Sequence, residues 1–155
     1  MIETDQNVLA TQHEYIVFCV DNDEYCIDIR AVREIRRWTH ATRLPRTPNY
    51  VKGVVNLRGA VLPVIDFACR LGLGETQPTP RHSTIIVEAH NQLLGLLVDT
   101  VSDILTATNE HMQPTPAIAA DQVHEIVSGL IIVEGRMLRI VNVGNISPHI
   151  EVEAA

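Results

Sequence analysis

The sequence predicts a mainly β protein of two similar lobes that share a core. Three observations point there. Short apolar runs bounded by turn residues follow one another through most of the 155 residues. Their order in the second half repeats their order in the first. Half of this chain is also short for a stable core of its own, so each lobe has to bury apolar surface against the other.

Along the chain, YIVFCV (15–20) and EYCIDI (24–29) flank Asp-Asn-Asp, a hairpin turn signal. AVREIRRW (31–38) spaces Val32, Ile35 and Trp38 like a short helix or a bent edge segment, and its residues do not choose between the two. GVVNLRGAVLPVID (53–66) is a hairpin turning at Arg58-Gly59, where Gly59 supplies a positive φ. FACRLG reads as one helical turn ended by Gly72, and residues 72–83 as a linker of Gly, Pro and Thr. TIIVEA (84–89), a His-Asn-Gln turn and LLGLLVDTVSDIL (93–105) restart the pattern. An irregular stretch (113–122) precedes GLIIVEGRMLRIVN (129–142), a hairpin turning at Glu134-Gly135. Residues 1–14 and 147–155 read as flexible tails around one domain, 15–146.

The repeat is specific. A shift of 69 lays Tyr15–Ile35 on Thr84–Ile104 without a gap, and a shift of 76 lays Gly53–Asp66 on Gly129–Asn142 with both hairpin glycines coincident. Against that match, Asn56 meets Ile132 and Arg58 meets Glu134. A hairpin that only has to fold does without an amide and a guanidinium, so the first one carries something extra. Charge follows the same asymmetry. Residues 30–58 hold eight cations against one acid, a net +7, and the remaining residues four cations against eighteen acids, a net −14. Such a distribution speaks of partners rather than of fold, and implies something acidic against the first half.

Several function classes lack their residues. There is no Gly-x-Ser-x-Gly elbow, no phosphate-cradling glycine loop with a lysine, and Lys52 is the sole lysine. The seven histidines are scattered without ligand spacing, so no metal, cofactor or catalytic residue is expected. Asp99 and Asp103 read as a solvated acidic face rather than an acid–base pair. Nucleic-acid binding through the basic segment is opposed by the net charge of −7 and by having only Trp38 and Tyr50 near it to stack on bases. No apolar run reaches the ~18 residues of a membrane span, and MIETDQNVLATQHE has neither the basic start nor the apolar block of a secretory signal. Cys19, Cys26 and Cys69 form no Cys-x-x-Cys and read as reduced thiols of a cytoplasmic protein. A protein-interaction module remains, in which an arginine fork meets carboxylates.

At VREI (32–35), KGVVNLRGAVLPVID (52–66), VDTVSDIL (98–105), QPTP (113–116) and GRMLRIVNV (135–143) the chain resembles the CheW-like coupling proteins of bacterial chemotaxis, in order from about Tyr15 to Ile146. The string Lys-Gly-x-x-Asn-Leu-Arg-Gly (52–59) is the most specific piece. The resemblance implies two pseudo-repeated five-stranded SH3-like β-barrels packed through a hydrophobic seam. It implies a cytoplasmic, non-catalytic adaptor, monomeric on its own and recruited to receptor arrays, with no cofactor. Its implied partners are the regulatory domain of the histidine kinase CheA and the membrane-distal hairpin tip of chemoreceptors, held in a groove between the barrels. The receptor contacts of such proteins fall here on Val32, Glu34, Lys52, Gly53, Asn56, Arg58 and Ile104; the kinase-facing residues are left open. An apolar stripe on a coiled-coil tip would seat on Val32 and Ile104, with Arg58 and Lys52 at the rim. The same residues have structural readings: Val32 and Ile104 as core, Gly53 as a backbone requirement, Arg58 as a solvated turn residue. Cys26 stands where such proteins usually have glycine, and Gly144 and Pro148 oppose a long C-terminal helix. Runner-up readings are an adaptor of a parallel pathway such as twitching motility or surface sensing, a kinase-binding competitor, and a nucleic-acid-binding β-barrel.

Overall fold

A computed structural model describes residues 12–117 and 121–146. The strands are β1 (Gln12–Val20), β2 (Asp23–Asp28), β3 (Val32–Arg37), β4 (Val51–Leu57), β5 (Ala60–Asp66), β6 (Ser83–Ala89), β7 (Gln92–Val98), β8 (Thr100–Thr108), β9 (Met112–Gln113), β10 (Val127–Val133) and β11 (Arg136–Val141). Two short helices, α1 (Phe67–Arg70) and α2 (Asp121–Ile126), and three 3₁₀ turns complete the chain. Of segment 31–38, residues 32–37 are thus strand, preceded by a 3₁₀ turn that ends at Ala31 and placed at a sheet end, where Val32, Glu34 and Arg36 pair with β6.

The two sheets do not follow the two halves of the sequence. One runs β8-β1-β2-β11-β10-β9 and the other β3-β6-β7-β5-β4. The first hairpin, β1–β2, therefore sits among second-half strands, and its counterpart β6–β7 sits among first-half strands. Residues 72–83 consequently join two strands of one sheet, β5 and β6, and do not link lobes, which corrects the linker expectation. In each sheet the end strands are consecutive in sequence, which requires the sheet to curl. β9 follows β8 after one 3₁₀ turn and pairs with β10. In the other sheet Thr42, just beyond β3, bridges Val54 of β4. Both sheets close into small barrels in this way.

The repeat extends to irregularities. β1 shifts register against β8 between Val17 and Phe18, and β6 meets the same break against β3 at Ile86 and Val87. β4 shifts between Val51 and Gly53, and β10 between Val127 and Gly129. The parallel pairs Ile140–Cys26 and Val64–Gly95 are also equivalent. All four hairpins turn on two residues of positive φ: Asp21-Asn22, Arg58-Gly59, His90-Asn91 and Glu134-Gly135. That geometry matches the right-handed twist of the flanking strands.

YIVFCV and its kin read as unbroken apolar runs because both faces are buried. Alternate residues fill a barrel or the seam between barrels. Tyr15, Val17, Cys26, Leu105, Ile131 and Leu138 pack inside the six-stranded barrel. Leu57, Leu62 and Ile86 form part of the interior of the other. The seam is the largest cluster and draws on both sheets, with Phe18, Tyr25 and Ile27 facing Ile65, Phe67, Ile85 and Leu96. At its centre Phe67 meets Phe18 and Tyr25 edge-on, at ring separations of 5.3 and 5.1 Å. The shared core expected from chain length is this seam.

Other boundaries differ in detail. Residues 12–14 belong to β1 rather than to a tail, and 93–105 divides into β7 and β8 at Asp99. α2 begins inside the stretch read as irregular. The C-terminal tail and residues 1–11 lie outside the described residues.

Candidate functional site

The site begins with the β4–β5 turn. Arg58 and Gly59 hold φ of 51° and 90° between the paired residues Leu57 and Ala60. Asn56 Oδ1 accepts the Gly59 N–H at 2.8 Å, so the amide caps the turn as an Asx side chain does. Held this way, the Arg58 side chain projects into solvent, 72% exposed, and its Nη2 donates to Glu34 Oε2 of β3 at 2.5 Å. Glu34 also accepts from Arg36 at 3.3 Å. The Arg58 hydrogen bond, aided by Arg36, holds the Glu34 carboxyl below its ordinary range. Folding thus brings Glu34, Asn56 and Arg58 together, with the pair spanning from β3 to the hairpin tip. Below it a cavity of about 30 Å³, room for one water or a methyl group, opens between Arg36, Trp38, Val55, Asn56 and Ile86.

Lys52 is not at this rim, contrary to expectation. Its side chain is only 10% exposed, and Nζ lies 3.6 Å from Oδ2 of Asp66, which is fully buried. Asp66 also accepts the Thr76 N–H at 2.6 Å, the Thr76 hydroxyl at 2.7 Å and the Cys69 N–H at 3.3 Å. The lysine neutralises a carboxylate that caps α1 and clips the 72–83 segment to the barrel. Gly53 is likewise a backbone requirement. It is buried at φ 146°, and a Cβ there would lie 2.3 Å from the Thr42 carbonyl oxygen. Thr42 and Val54 exchange both backbone hydrogen bonds across that contact, at 2.9 and 2.8 Å, and it closes the barrel.

Val32 and Ile104 stand on different sheets. Val32 is half-buried against the seam, whereas Ile104 of β8, opposite Ile16, is 56% exposed. The core reading therefore fails for Ile104 and partly holds for Val32. Sequence reasoning passed over Ile35, the counterpart of Ile104 on β3, which is also exposed, and the equivalent exposed pair Val61 and Met137. The signal was present: an apolar residue kept at one position in both halves, for Ile35 and Ile104 on strands that end a sheet. It read as core because burial and outward display have the same period along a strand.

Comparison with known proteins agrees with this geometry. A model of the CheW-like domain matches residues 14–151. The chain belongs to the CheW family. It is 49% identical over 142 residues to the chemotaxis protein CheW of Rhizobium meliloti (strain 1021), covering 92% of each chain. It is 35% identical over 130 residues to the CheW of Klebsiella aerogenes, covering 84% of this chain and 78% of that one. The crystal structure of the scaffolding protein TtCheW from Thermoanaerobacter tengcongensis superposes with a TM-score of 0.80 at 30% identity, over 86% of this chain and 91% of that one. Membership makes the chain a coupling adaptor of chemotaxis signalling. Among the described residues no group of three or more His, Cys, Asp or Glu is placed to hold a metal ion, and no helix is long and apolar enough to cross a membrane.

Proposed function

We propose that the chain is a non-catalytic cytoplasmic adaptor that holds chemoreceptor tips and the regulatory domain of the kinase CheA in fixed relation within receptor arrays. The receptor would meet the region of Val32, Glu34, Lys52, Gly53, Asn56, Arg58 and Ile104. Within that set Glu34, Arg58 and Ile104 offer side chains to a partner. Asn56, Gly53 and Lys52 hold the surface in shape, and Val32 anchors β3 to the seam. The observation that carries the reading is the exposed Glu34–Arg58 pair on a capped turn. An arginine held at positive φ by its neighbours, where asparagine would turn more easily, is kept for its guanidinium. A partner carboxylate or amide can share that fork with Glu34.

The test replaces Arg58 by Asn. Asn-Gly is the favoured sequence for this turn, so the melting temperature should hold or rise slightly. Binding of a purified receptor cytoplasmic fragment should fall about tenfold or more, as for a central interface arginine, while binding of the kinase regulatory domain is retained. Unchanged receptor binding by this variant would remove Arg58 from the site. Failure of the wild type to bind either partner would remove the adaptor assignment.

A further inference from the structure

The arginines of this acidic chain are not equally satisfied. Of its twelve lysines and arginines, all described, eight lie within 4 Å of a carboxylate: Arg30, Arg33, Arg36, Lys52, Arg58, Arg70, Arg136 and Arg139. Arg37, Arg43, Arg46 and Arg81 have no ion pair among the described residues, and all four are exposed. All four lie in or next to the 38–50 loop of the five-stranded barrel: Arg37 ends β3, Arg43 and Arg46 are in the loop, and Arg81 stands two residues before β6. Arg37 pairs through its backbone with Ser83, and the next N–H, of Trp38, donates to the His82 carbonyl at 2.9 Å, which sets Arg81 beside the start of the 38–50 loop. Two small depressions of about 160 and 170 Å³ flank Arg43 in that loop. Trp38 and His40 line one, exposed Leu44 and Pro48 line the other, and Glu75 is the single acid at both.

We infer that this face docks an acidic protein segment carrying apolar side chains, with the carboxylates on Arg37, Arg43, Arg46 and Arg81 and an apolar side chain in a depression beside Arg43. Charge complementarity identifies the occupant. Four unneutralised guanidinium groups in a protein of net −7 form a local positive field, and each presents a fork that fits a carboxylate. The charge of the chain disfavours a long polyanion: outside residues 30–58 it carries a net −14, against which an extended nucleic acid or an anionic bilayer is repelled. The apolar walls at Trp38 and Leu44 favour a peptide with hydrophobic residues over a purely electrostatic ligand. The surface adjoins the Glu34–Arg58 region, since Arg37 and Trp38 also line the cavity below that pair, but its assignment rests on the unpaired arginines and not on the receptor reading.

The probe is a fluorescein-labelled twelve-residue peptide of glutamates with two leucines, read by anisotropy against the full chain. Saturable binding is expected that weakens steeply with salt, falls about tenfold or more in Arg37→Gln/Arg43→Gln/Arg46→Gln, and is unchanged in Arg30→Gln, an exposed arginine already paired with Asp28. A peptide with serines for leucines should bind more weakly. Absence of saturable binding, equal loss in the Arg30 control, or tighter binding of a single-stranded oligonucleotide or of phosphatidylglycerol vesicles would overturn the inference. Circular dichroism of the triple variant separates lost binding from lost fold, and a folded variant that binds as the wild type does also overturns it.

Discussion

The β4–β5 and β10–β11 hairpins are the same object built twice, and they differ where function is expected. Both turn on two residues of positive φ, both carry a bulge before a buried glycine, and both close a barrel through a short neighbouring segment. In the first, Asn56 caps the turn and Arg58 reaches Glu34 from the turn itself. In the second, Ile132 and Glu134 take those places, and the cross-barrel contact passes to Arg136, one residue beyond the turn glycine, which pairs with Glu24 and Asp103. Arg136 is less than one-third exposed between two acids, whereas Arg58 is 72% exposed. A tie from the hairpin to the third strand of its own half is thus common to both. Making that tie with a solvent-facing group at the tip is peculiar to the first. The general lesson is that a duplicated fold supplies its own control: shared features report folding, and unshared ones report binding or local compensation.

The comparison breaks most severely at the glycines. Gly53→Ala should cost about 3 kcal/mol or more, since its Cβ would strike backbone at 2.3 Å where φ is 146°. At Gly129 a Cβ would meet the Gln113 carbonyl oxygen at 3.0 Å, so Gly129→Ala should cost distinctly less. Urea denaturation of the two variants measures the difference, and equal costs would show that the two closures are not under unequal constraint.

Next in size is the buried pair. Lys52 and Asp66 correspond to Ser128 and Asn142 of the second half, a neutral solution at the same place. Lys52→Ala leaves a buried carboxylate without its cation and should cost about 3 kcal/mol. Lys52→Ser with Asp66→Asn imports the second half's arrangement and should recover part of that loss, read from the same denaturation midpoints. If the double variant is no more stable than Lys52→Ala, the lysine does not serve chiefly to neutralise Asp66.

A smaller effect tests Cys26 against its counterpart Gly95. A Cβ at Gly95 would lie 2.8 Å from Thr84 Cγ2, while in the other barrel Cys26 fills the equivalent place beneath Tyr15 and Val17. Burial pushes the Cys26 thiol up to about 12. It should therefore resist a disulfide reagent at pH 8 until the protein unfolds, with Cys19 and the half-buried Cys69 reacting in the native state. Rapid native labelling of all three would contradict the packing described.

The smallest expected effect is a pH dependence at the tip. The folded Glu34 carboxyl titrates below its ordinary 4.5. Its contribution is therefore complete above that value and is lost as pH falls through the folded one. The melting temperature of the wild type relative to Arg58→Asn should be constant from neutral pH down to about 5 and fall on further acidification, because only the wild type has the pair to lose. A difference independent of pH would separate Glu34 from Arg58.

Much of the fold was legible in the residues. The apolar runs marked strands, and turn residues marked all four hairpins. The gapless match of Tyr15–Ile35 to Thr84–Ile104 captured a repeat that extends to the bulges. The candidate site was half legible. Glu34, Asn56 and Arg58 do converge, but Lys52 sits with Asp66 and Gly53 with Thr42, because a lysine reaching solvent and one reaching a buried acid look alike in sequence. The β3 segment stayed ambiguous because an edge strand buries little, and weak burial leaves a weak period.

By itself the sequence determined local structure and the equivalence of its halves, since turns, bulges and strand patterns depend on neighbours in the chain. Only the tertiary structure decided that the halves exchange hairpins, β1–β2 passing to the second-half strands and β6–β7 to the first. The edges open to either hairpin are pseudo-equivalent, so no local pattern distinguishes them. The choice follows from how connections reach across the molecule and from the seam that forms when Phe18 and Tyr25 close on Phe67.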